Sequence, residues 1–426
     1  MRASSFVLCS MACTLTGCMN GPIDPIELLA TDIVPDLEHP ELSRLPDGTL
    51  AQRYIVILRS DLLADGYAPS VITDVVLAHD VRMERVYRTA LAGFAAALTA
   101  EQRVVLEGHP DIEAVVPDAR VDAIIEGKEH AAARPAPASP ASPSSEWALV
   151  DVLGAGWATT VGAANGGAGV TVAVLDTGID TNHASLPVAA CLGDFTTTPA
   201  GASCEDGNGH GTHVAGTIAA LPSTGHRGVA PNVSLSAAKV LNAAGSGSTS
   251  GIAAAIDAAA RAGIDVVNLS LGGPTNGLPE STDALCIAIT NAAAAGTIAV
   301  VAAGNDGRDA AGFSPARCDN ALTVGAYDAT GKLASFTNYG PDIDINAPGV
   351  SIYSTTFDGA FGSKNGTSMA SPHAAAVAAL YAAANPGSTA AQIAAGVVAN
   401  SLDRGAPLKY SKQIVSTKPK LDGRDY

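Results

Sequence analysis

Apolar and polar positions follow two rhythms along this chain. Beyond residue 146, short unbroken apolar runs alternate with Ala-rich stretches of helical length. Residues 170–175 (VTVAVL), 265–269 and 298–302 (IAVVA) read as strands, and residues 251–262 and 369–384 as helices. Strand–helix alternation of this kind predicts an α/β fold with a mostly parallel sheet sandwiched by helices. Nearer the N-terminus the elements are shorter. Residues 54–58 (YIVIL), 91–98 (LAGFAAAL) and 112–116 (IEAVV) read as strands and 69–81 as a helix. A second helix is predicted over 99–107, with Thr99 as N-cap and Gln102 three residues on completing a capping box. Together they form a compact module of about eighty residues. Residues 131–145 (AAARPAPASPASPSS) predict an extended, protease-accessible linker, and the acidic, Pro-bearing stretch 19–49 suits a tether. The expected division is a leader over 1–18, a tether over 19–49, a small domain over 50–126, a linker over 127–145 and a large domain over 146–426.

Composition narrows the function classes. Hydrophobic residues make up 47% of the 426 and charged residues 15%, which supports a sizeable core and excludes wholesale disorder. Asp and Glu number 41 against 24 Lys and Arg, for a net charge of −17, and no basic patch stands out, so nucleic acid is not an expected partner. No apolar run after the first twenty residues approaches the ~20 residues that a membrane-spanning helix needs.

Arg2 followed by the apolar stretch 3–14 reads as a short export signal. Leu15-Thr16-Gly17-Cys18 resembles a bacterial lipobox, in which the cysteine is lipid-modified after cleavage. Cys18 is therefore the candidate lipidation site of an exported, cell-envelope lipoprotein, with an ordinary secretory signal as the alternative. One lipid chain would tether the protein at a membrane surface without spanning it. Of the other cysteines, Cys9 and Cys13 fall in the leader. Cys191, Cys204, Cys286 and Cys318 remain, an even number that suggests two disulfides with three possible pairings. Sequence proximity favours Cys191–Cys204 and Cys286–Cys318. Neither C-x-x-C nor Cys/His spacing supports zinc.

Three Gly-bearing segments carry the chemistry. Val172-Ala-Val-Leu-Asp176-Thr-Gly178 is a buried-type strand ending in a carboxylate. Asp206-Gly-Asn-Gly-His210-Gly-Thr-His213 packs glycines around an imidazole. Asn365-Gly-Thr-Ser368-Met-Ala-Ser-Pro-His373 is a turn that opens an Ala-rich helix. An acid, a histidine and a serine, each on its own turn, are the parts for nucleophilic acyl transfer. A hydroxyl is a weak nucleophile that needs a base within reach, and the base needs an anion to orient it.

In the order Asp, His, Ser, these segments resemble the subtilisin-type serine peptidases. Asp206–His213 and Lys239-Val-Leu-Asn-Ala-Ala-Gly-Ser-Gly247 are similar to the proteinase K subgroup. Residues 53–122 resemble the family's inhibitory prodomain, through residues 54–58, 93–98 and Val115-Val-Pro-Asp118. The resemblance implies a subtilisin-like α/β domain behind a small α+β, ferredoxin-like prodomain, made as a self-processing zymogen whose linker the enzyme itself cuts. It implies Ser368 as nucleophile, His210 as general base and Asp176 as its orienting anion. Asn305, in Ala302-Ala-Gly-Asn-Asp306, stands at the oxyanion donor's place beside the Ser368 backbone N–H. Gly245-Ser246-Gly247 and Ser270-Leu271-Gly272 match the segments that bind substrate as an added β-strand. Broad endopeptidase specificity with an apolar or aromatic preference is implied, walled by Ala302, Ala303 and Gly304. The partners are protein and peptide substrates and the chain's own prodomain, and a monomer is expected. No cofactor is needed for the chemistry. One structural Ca²⁺ is implied at Asp344, with backbone oxygens near Asp319 and Ala321; Ser185 stands where relatives often carry a second site's Asp, so no second site is expected. His213 and His373 are expected to pack, without binding metal or reacting.

Overall fold

A computed structural model of the full chain describes residues 42–44, 50–64, 68–124, 147–153, 165–222 and 226–401. The leader with Cys18, nearly all of the tether, the 127–145 linker and the tail beyond 401 lie outside the described residues.

The three strands predicted beyond residue 146 join four others in a seven-stranded sheet. Its order is Ile345–Pro348, Ala321–Tyr327, Ile298–Ala302, Val266–Leu269, Thr171–Asp176, Ser234–Lys239 and Val188–Asp194. All six pairings are parallel. Such strands are covered on both faces, which explains why they read as continuous apolar runs. Alternate side chains go to opposite cores. Val172, Val174, Val300 and Val324 pack with Val214, Ala215 and Ile218 of the helix His210–Ala219 and with the Ser368 helix, Thr367–Ala384. Ala173, Leu175, Val267 and Val301 pack on the other side with Ile252 and Ile256 of helix Thr249–Arg261 and Leu285 and Ile289 of helix Ala284–Ala294.

The small domain is an antiparallel sheet in which Leu50–Leu58 pairs with Gly93–Ala97 on one side and Ile112–Pro117 on the other, while Gly93–Ala97 also pairs with Met83–Tyr87. The period-2 alternation again divides its side chains. Val56, Leu58, Phe94 and Ala96 face Ile72, Val75 and Leu106 of the helices Ala68–Ala78 and Ala100–Glu107. Thr99 and Gln102 form the reciprocal capping box at the start of the second helix. Ile55, Ile57, Tyr87 and Ala95 instead join the core cluster of helices 249–261 and 284–294, so this face is docked on the large domain.

Buried polar groups fix that docking. Arg53, nearly without exposure, pairs with Asp118 (Nε–Oδ2 2.5 Å) and Glu84 (3.1 Å). Burial alone would lower the Arg53 pKa, but the two carboxylates hold it above its usual value. Asp118 also accepts the Ser250 N–H and hydroxyl at 2.8 and 2.6 Å, which places its charge at the positive end of helix 249–261. From the other side, Asp257 Oδ1 accepts the N–H groups of Arg88, Thr89 and Ala90 at 3.0, 2.6 and 2.8 Å. Both disulfides take the pairings that proximity favoured, Cys191–Cys204 and Cys286–Cys318, with Cα separations of 5.6 and 5.0 Å.

Candidate active site

The three chemistry-bearing segments meet at the carboxyl end of the parallel sheet, where open α/β sheets place their sites. Asp176 is the last residue of its strand, His210 the first of its helix and Ser368 the second of its helix. All three are buried, at 0, 1 and 0% exposure. His210 Nδ1 lies 2.8 Å from Asp176 Oδ1. That approach depends on Gly211: a Cβ there would fall 2.1 Å from Gly178 O and 3.1 Å from Asp176 Cβ. Among the described residues, nothing hydrogen-bonds to the buried His210 Nε2. The Ser368 hydroxyl is instead 2.7 Å from Ile124 O and 3.1 Å from Ser270 O.

Ile124 comes from the end of the small domain. The preceding strand Arg120–Ala123 lies between two segments of the large domain, antiparallel to both Ser246–Ser248 and Leu271–Pro274. Ala123 N–H donates to Gly245 O at 2.8 Å, and Ile124 N–H to Ser270 O at 3.3 Å. Every residue of the two predicted strand-binding segments, Gly245-Ser246-Gly247 and Ser270-Leu271-Gly272, therefore pairs with or bonds to 120–124. Gly247 must lack a side chain, since a Cβ would meet Val240 O at 2.1 Å. The strand ends with the Ile124 carbonyl oxygen between the Ser368 hydroxyl and Asn305 Nδ2, the latter at 3.3 Å.

Asn305 Oδ1 accepts both the N–H and the hydroxyl of Thr367, each at 2.9 Å, so its amide is held in one orientation. Beneath Ser368, Asn268 accepts from Ser371 at 2.7 Å and donates to Ser270 Oγ at 2.9 Å, which in turn donates to Ser368 O at 3.0 Å. Thr367, Asn268 and Ser371 were not singled out from sequence. Their signal is convergence in space, and single polar residues in an Ala-rich stretch do not carry it. The residues expected to wall the pocket are buried. Ala302 and Ala303 have no exposed surface, and Ala303 packs in a small cluster with Ala310, Ala316 and Ile343. Beside the Ile124 side chain lies Gly272, where a Cβ would come within 3.3 Å of Ile124 Cδ1.

The other histidines are held as packed residues. His213 Nε2 lies 3.0 Å from Ile352 O and 3.2 Å from Gly362 O, and burial drives its pKa well down, with Lys364 and His210 adding to the effect. His373 Nδ1 lies 2.8 Å from Met369 O, and burial lowers its pKa to about 4. At the predicted calcium position, Asp344 Oδ2 accepts the Thr323 N–H at 2.8 Å, beside the strand that Ala321 opens. The Asp344 carboxylate is a hard oxygen donor, the kind that suits Ca²⁺. Among the described residues, no group of three or more His, Cys, Asp or Glu could hold a metal.

Comparison with known proteins agrees with this geometry. The pattern of the subtilase family matches residues 167–417, more than half of the chain, and that of the peptidase inhibitor I9 domain matches residues 53–123. Subtilisin DY of Bacillus licheniformis is 43% identical over 257 residues, covering 59% of this chain and 90% of its own length. Subtilisin Savinase of Lederbergia lenta is 45% identical over 253 residues, with the same two shares. The crystal structure of a cold-adapted subtilisin-like serine proteinase superimposes with a TM-score of 0.54 at 38% identity, over 60% of this chain and 89% of the other. The chain belongs to the subtilase family, as a subtilisin-like serine endopeptidase that carries its own I9 inhibitor domain ahead of the catalytic domain.

Proposed function

We propose that the chain is a zymogen that cuts its own Ile124–Ile125 bond and afterwards hydrolyses protein substrates presented in the same cleft. The observation that carries this reading is the Ile124 carbonyl, 2.7 Å from the Ser368 hydroxyl and 3.3 Å from Asn305 Nδ2 at the end of a strand paired on both edges. Backbone pairing reads little of the side-chain sequence, which supports broad specificity. The isoleucine beside Gly272 supports an apolar preference before the cut.

The chemistry follows from the positions. Ser368 Oγ turns from Ile124 O to attack its carbonyl carbon, and His210 Nε2, unpartnered among the described residues, takes the hydroxyl proton. Asp176 holds the Nδ1–H and stabilises the imidazolium. Negative charge gathers on the carbonyl oxygen facing Asn305. Collapse breaks the C–N bond, and His210 returns the proton to the departing amine of Ile125. Water, deprotonated by the same imidazole, then hydrolyses the acyl-enzyme. The cut end of the prodomain stays in the cleft as a product-like inhibitor.

Intact-mass analysis is expected to find a mature form beginning at Ile125, with no earlier cut in the 127–145 linker. Ile124→Asp is expected to slow processing at least about 10-fold, since an apolar pocket rejects a charge by more than it discriminates a methylene. A primary cut inside the linker would sink the assignment.

The two disulfides suit an oxidising compartment. We accordingly place the protein outside the cytoplasm as a monomer, with Cys18 as its lipid anchor. Its closer grouping with proteinase K rests on two segments alone, 206–213 and 239–247. We also assign one structural Ca²⁺ to Asp344 and the backbone oxygens near Asp319 and Ala321, where it would brace the start of strand 321–327. Ca²⁺ at about 100 times its Kd adds about 2.7 kcal/mol, so exchanging EDTA for Ca²⁺ is expected to raise Tm by about 5–10 °C. The rise should vanish in Asp344→Ala, and equal Tm values in Ca²⁺ and EDTA would remove the site.

A further inference from the structure

We propose that Asp206 is a positioning residue for the Asp176–His210 pair, a carboxylate that caps the histidine's helix from outside and ties it to the strand end bearing Asp176. The inference rests on the reading of Asp176, His210 and Ser368 as the catalytic triad.

The helix that begins at His210 has a glycine, Gly209, at its N-cap, with φ 90° and no side chain to satisfy the first free N–H groups. Asp206 supplies what the cap lacks. Its Oδ2 accepts the Thr212 N–H at 3.0 Å and the Thr212 hydroxyl at 2.6 Å. Its Oδ1 accepts the N–H groups of Asn208 and Gly209 at 2.8 and 2.9 Å. The same Oδ1 accepts the Thr177 hydroxyl at 2.9 Å, and Thr177 Oγ1 accepts the Gly211 N–H at 2.9 Å.

Thr177 closes the circuit. Its N–H donates to Asp176 Oδ1 at 2.7 Å, the oxygen that lies 2.8 Å from His210 Nδ1. Strand end, carboxylate, helix start and imidazole thus form one ring of bonds around the contact that orients the base. Five donors converge on two oxygens, and only an ionised carboxylate offers acceptors alone. Burial by itself would raise the pKa of Asp206, but the bonds from Thr212, Gly209 and Asn208 hold it below the usual carboxylate value. The charge also sits at the positive end of the helix. Asparagine has the same shape, yet it must turn an NH₂ group toward N–H or O–H donors. The ring then opens and the imidazole loses its fixed orientation.

The test uses the full chain carrying Asp206→Asn, Thr177→Val or Thr177→Ser, alone and combined, with Ser368→Ala as control. Steady-state kinetics on a peptide substrate are read beside the downfield proton resonance of His210 Nδ1–H. Where self-processing stalls, its single-turnover rate stands in for kcat. Asp206→Asn is expected to lower kcat about 10²-fold with KM unchanged, the scale of a misplaced catalytic group. Thr177→Val removes both hydrogen bonds of the hydroxyl and should cost at least about 10-fold, and Thr177→Ser should restore the rate. The double variant should be no worse than Asp206→Asn alone, because the residues act as one unit. The imidazole resonance should broaden or vanish in Asp206→Asn and Thr177→Val, which a purely structural role would not produce in a folded enzyme. Wild-type kcat and resonance in folded Asp206→Asn overturn the proposal; should that variant not fold, the same result in Thr177→Val does so. An active Ser368→Ala chain would overturn the triad reading itself, whereas an inactive one beside unaffected Asp206 and Thr177 variants removes only the positioning role.

Discussion

Replacing Ser368 with alanine is expected to leave the chain folded, uncut and without peptidase activity. The substitution removes one oxygen from a site at 0% exposure and creates no void larger than a hydroxyl. Its cost to folding is confined to the one hydrogen bond the hydroxyl proton can donate, to Ile124 O at 2.7 Å or Ser270 O at 3.1 Å, about 1 kcal/mol. The cost to catalysis is of another order. Removing the nucleophile of subtilisin lowers kcat by about 10⁶, and a loss of that order is the expected result here. On the proposed self-processing, the loss appears before any assay. The mass of Ser368→Ala should correspond to an uncut Ile124–Ile125 bond, while wild type yields the separated mature form. A fluorophosphonate probe should add one label to wild type and none to the variant. Normal processing of pure Ser368→Ala would show that another nucleophile, or another protease, makes the cut.

Much of this site could be read from the sequence because its parts are local. Asp176 ends an apolar strand, His210 opens a glycine-flanked helix and Ser368 follows a turn, so each announces itself within ten residues. The Thr99–Gln102 capping box and the disulfide partners are short-range features of the same kind. The strand 120–123 is not. Arg-Val-Asp-Ala alternates polar and apolar positions for only four residues, with Val121 and Ala123 on the buried side, too short a run to stand out, and 246–248 and 271–274 supply hydrogen-bonding edges on both sides. Met83–Tyr87 was hidden for a related reason: Glu84 and Arg85 interrupt its apolar pattern. They are buried with Arg53 in the network that joins the two domains, and the Arg85 guanidinium reaches Phe195 O at 2.7 Å. Composition likewise marks 127–145 as a linker and leaves the cleavage point open. What selects a scissile bond is the carbonyl held at the nucleophile, and that is a property of pairing register, which a linker's composition does not encode.

Asn305→Leu is expected to lower kcat by about 10²–10³ with little change in KM, the scale measured for the oxyanion donor of subtilisin. Its amide orientation follows from its partners. Thr367 N–H can only donate, so the atom facing it is oxygen; Ile124 O can only accept, so the atom facing it is nitrogen. The 3.3 Å from Nδ2 to Ile124 O is long for a strong hydrogen bond. That length favours catalysis. As the carbonyl becomes tetrahedral its oxygen gains charge, and a donor that binds it weakly at the start and strongly at the barrier lowers the barrier instead of deepening the ground state. Asn305→Asp should be worse than leucine, since it keeps the bonds to Thr367 yet turns a carboxylate oxygen toward the developing charge. Thr367→Val should cost less, about 10-fold, because it removes the hydroxyl bond that helps hold the amide but keeps the backbone N–H bond and the donor in place. Steady-state kinetics on one peptide substrate separate these cases. A loss in Asn305→Leu that appeared in KM with kcat intact would mean that Asn305 grips the substrate, and the stabilisation of the oxyanion would then have to come from backbone N–H groups alone.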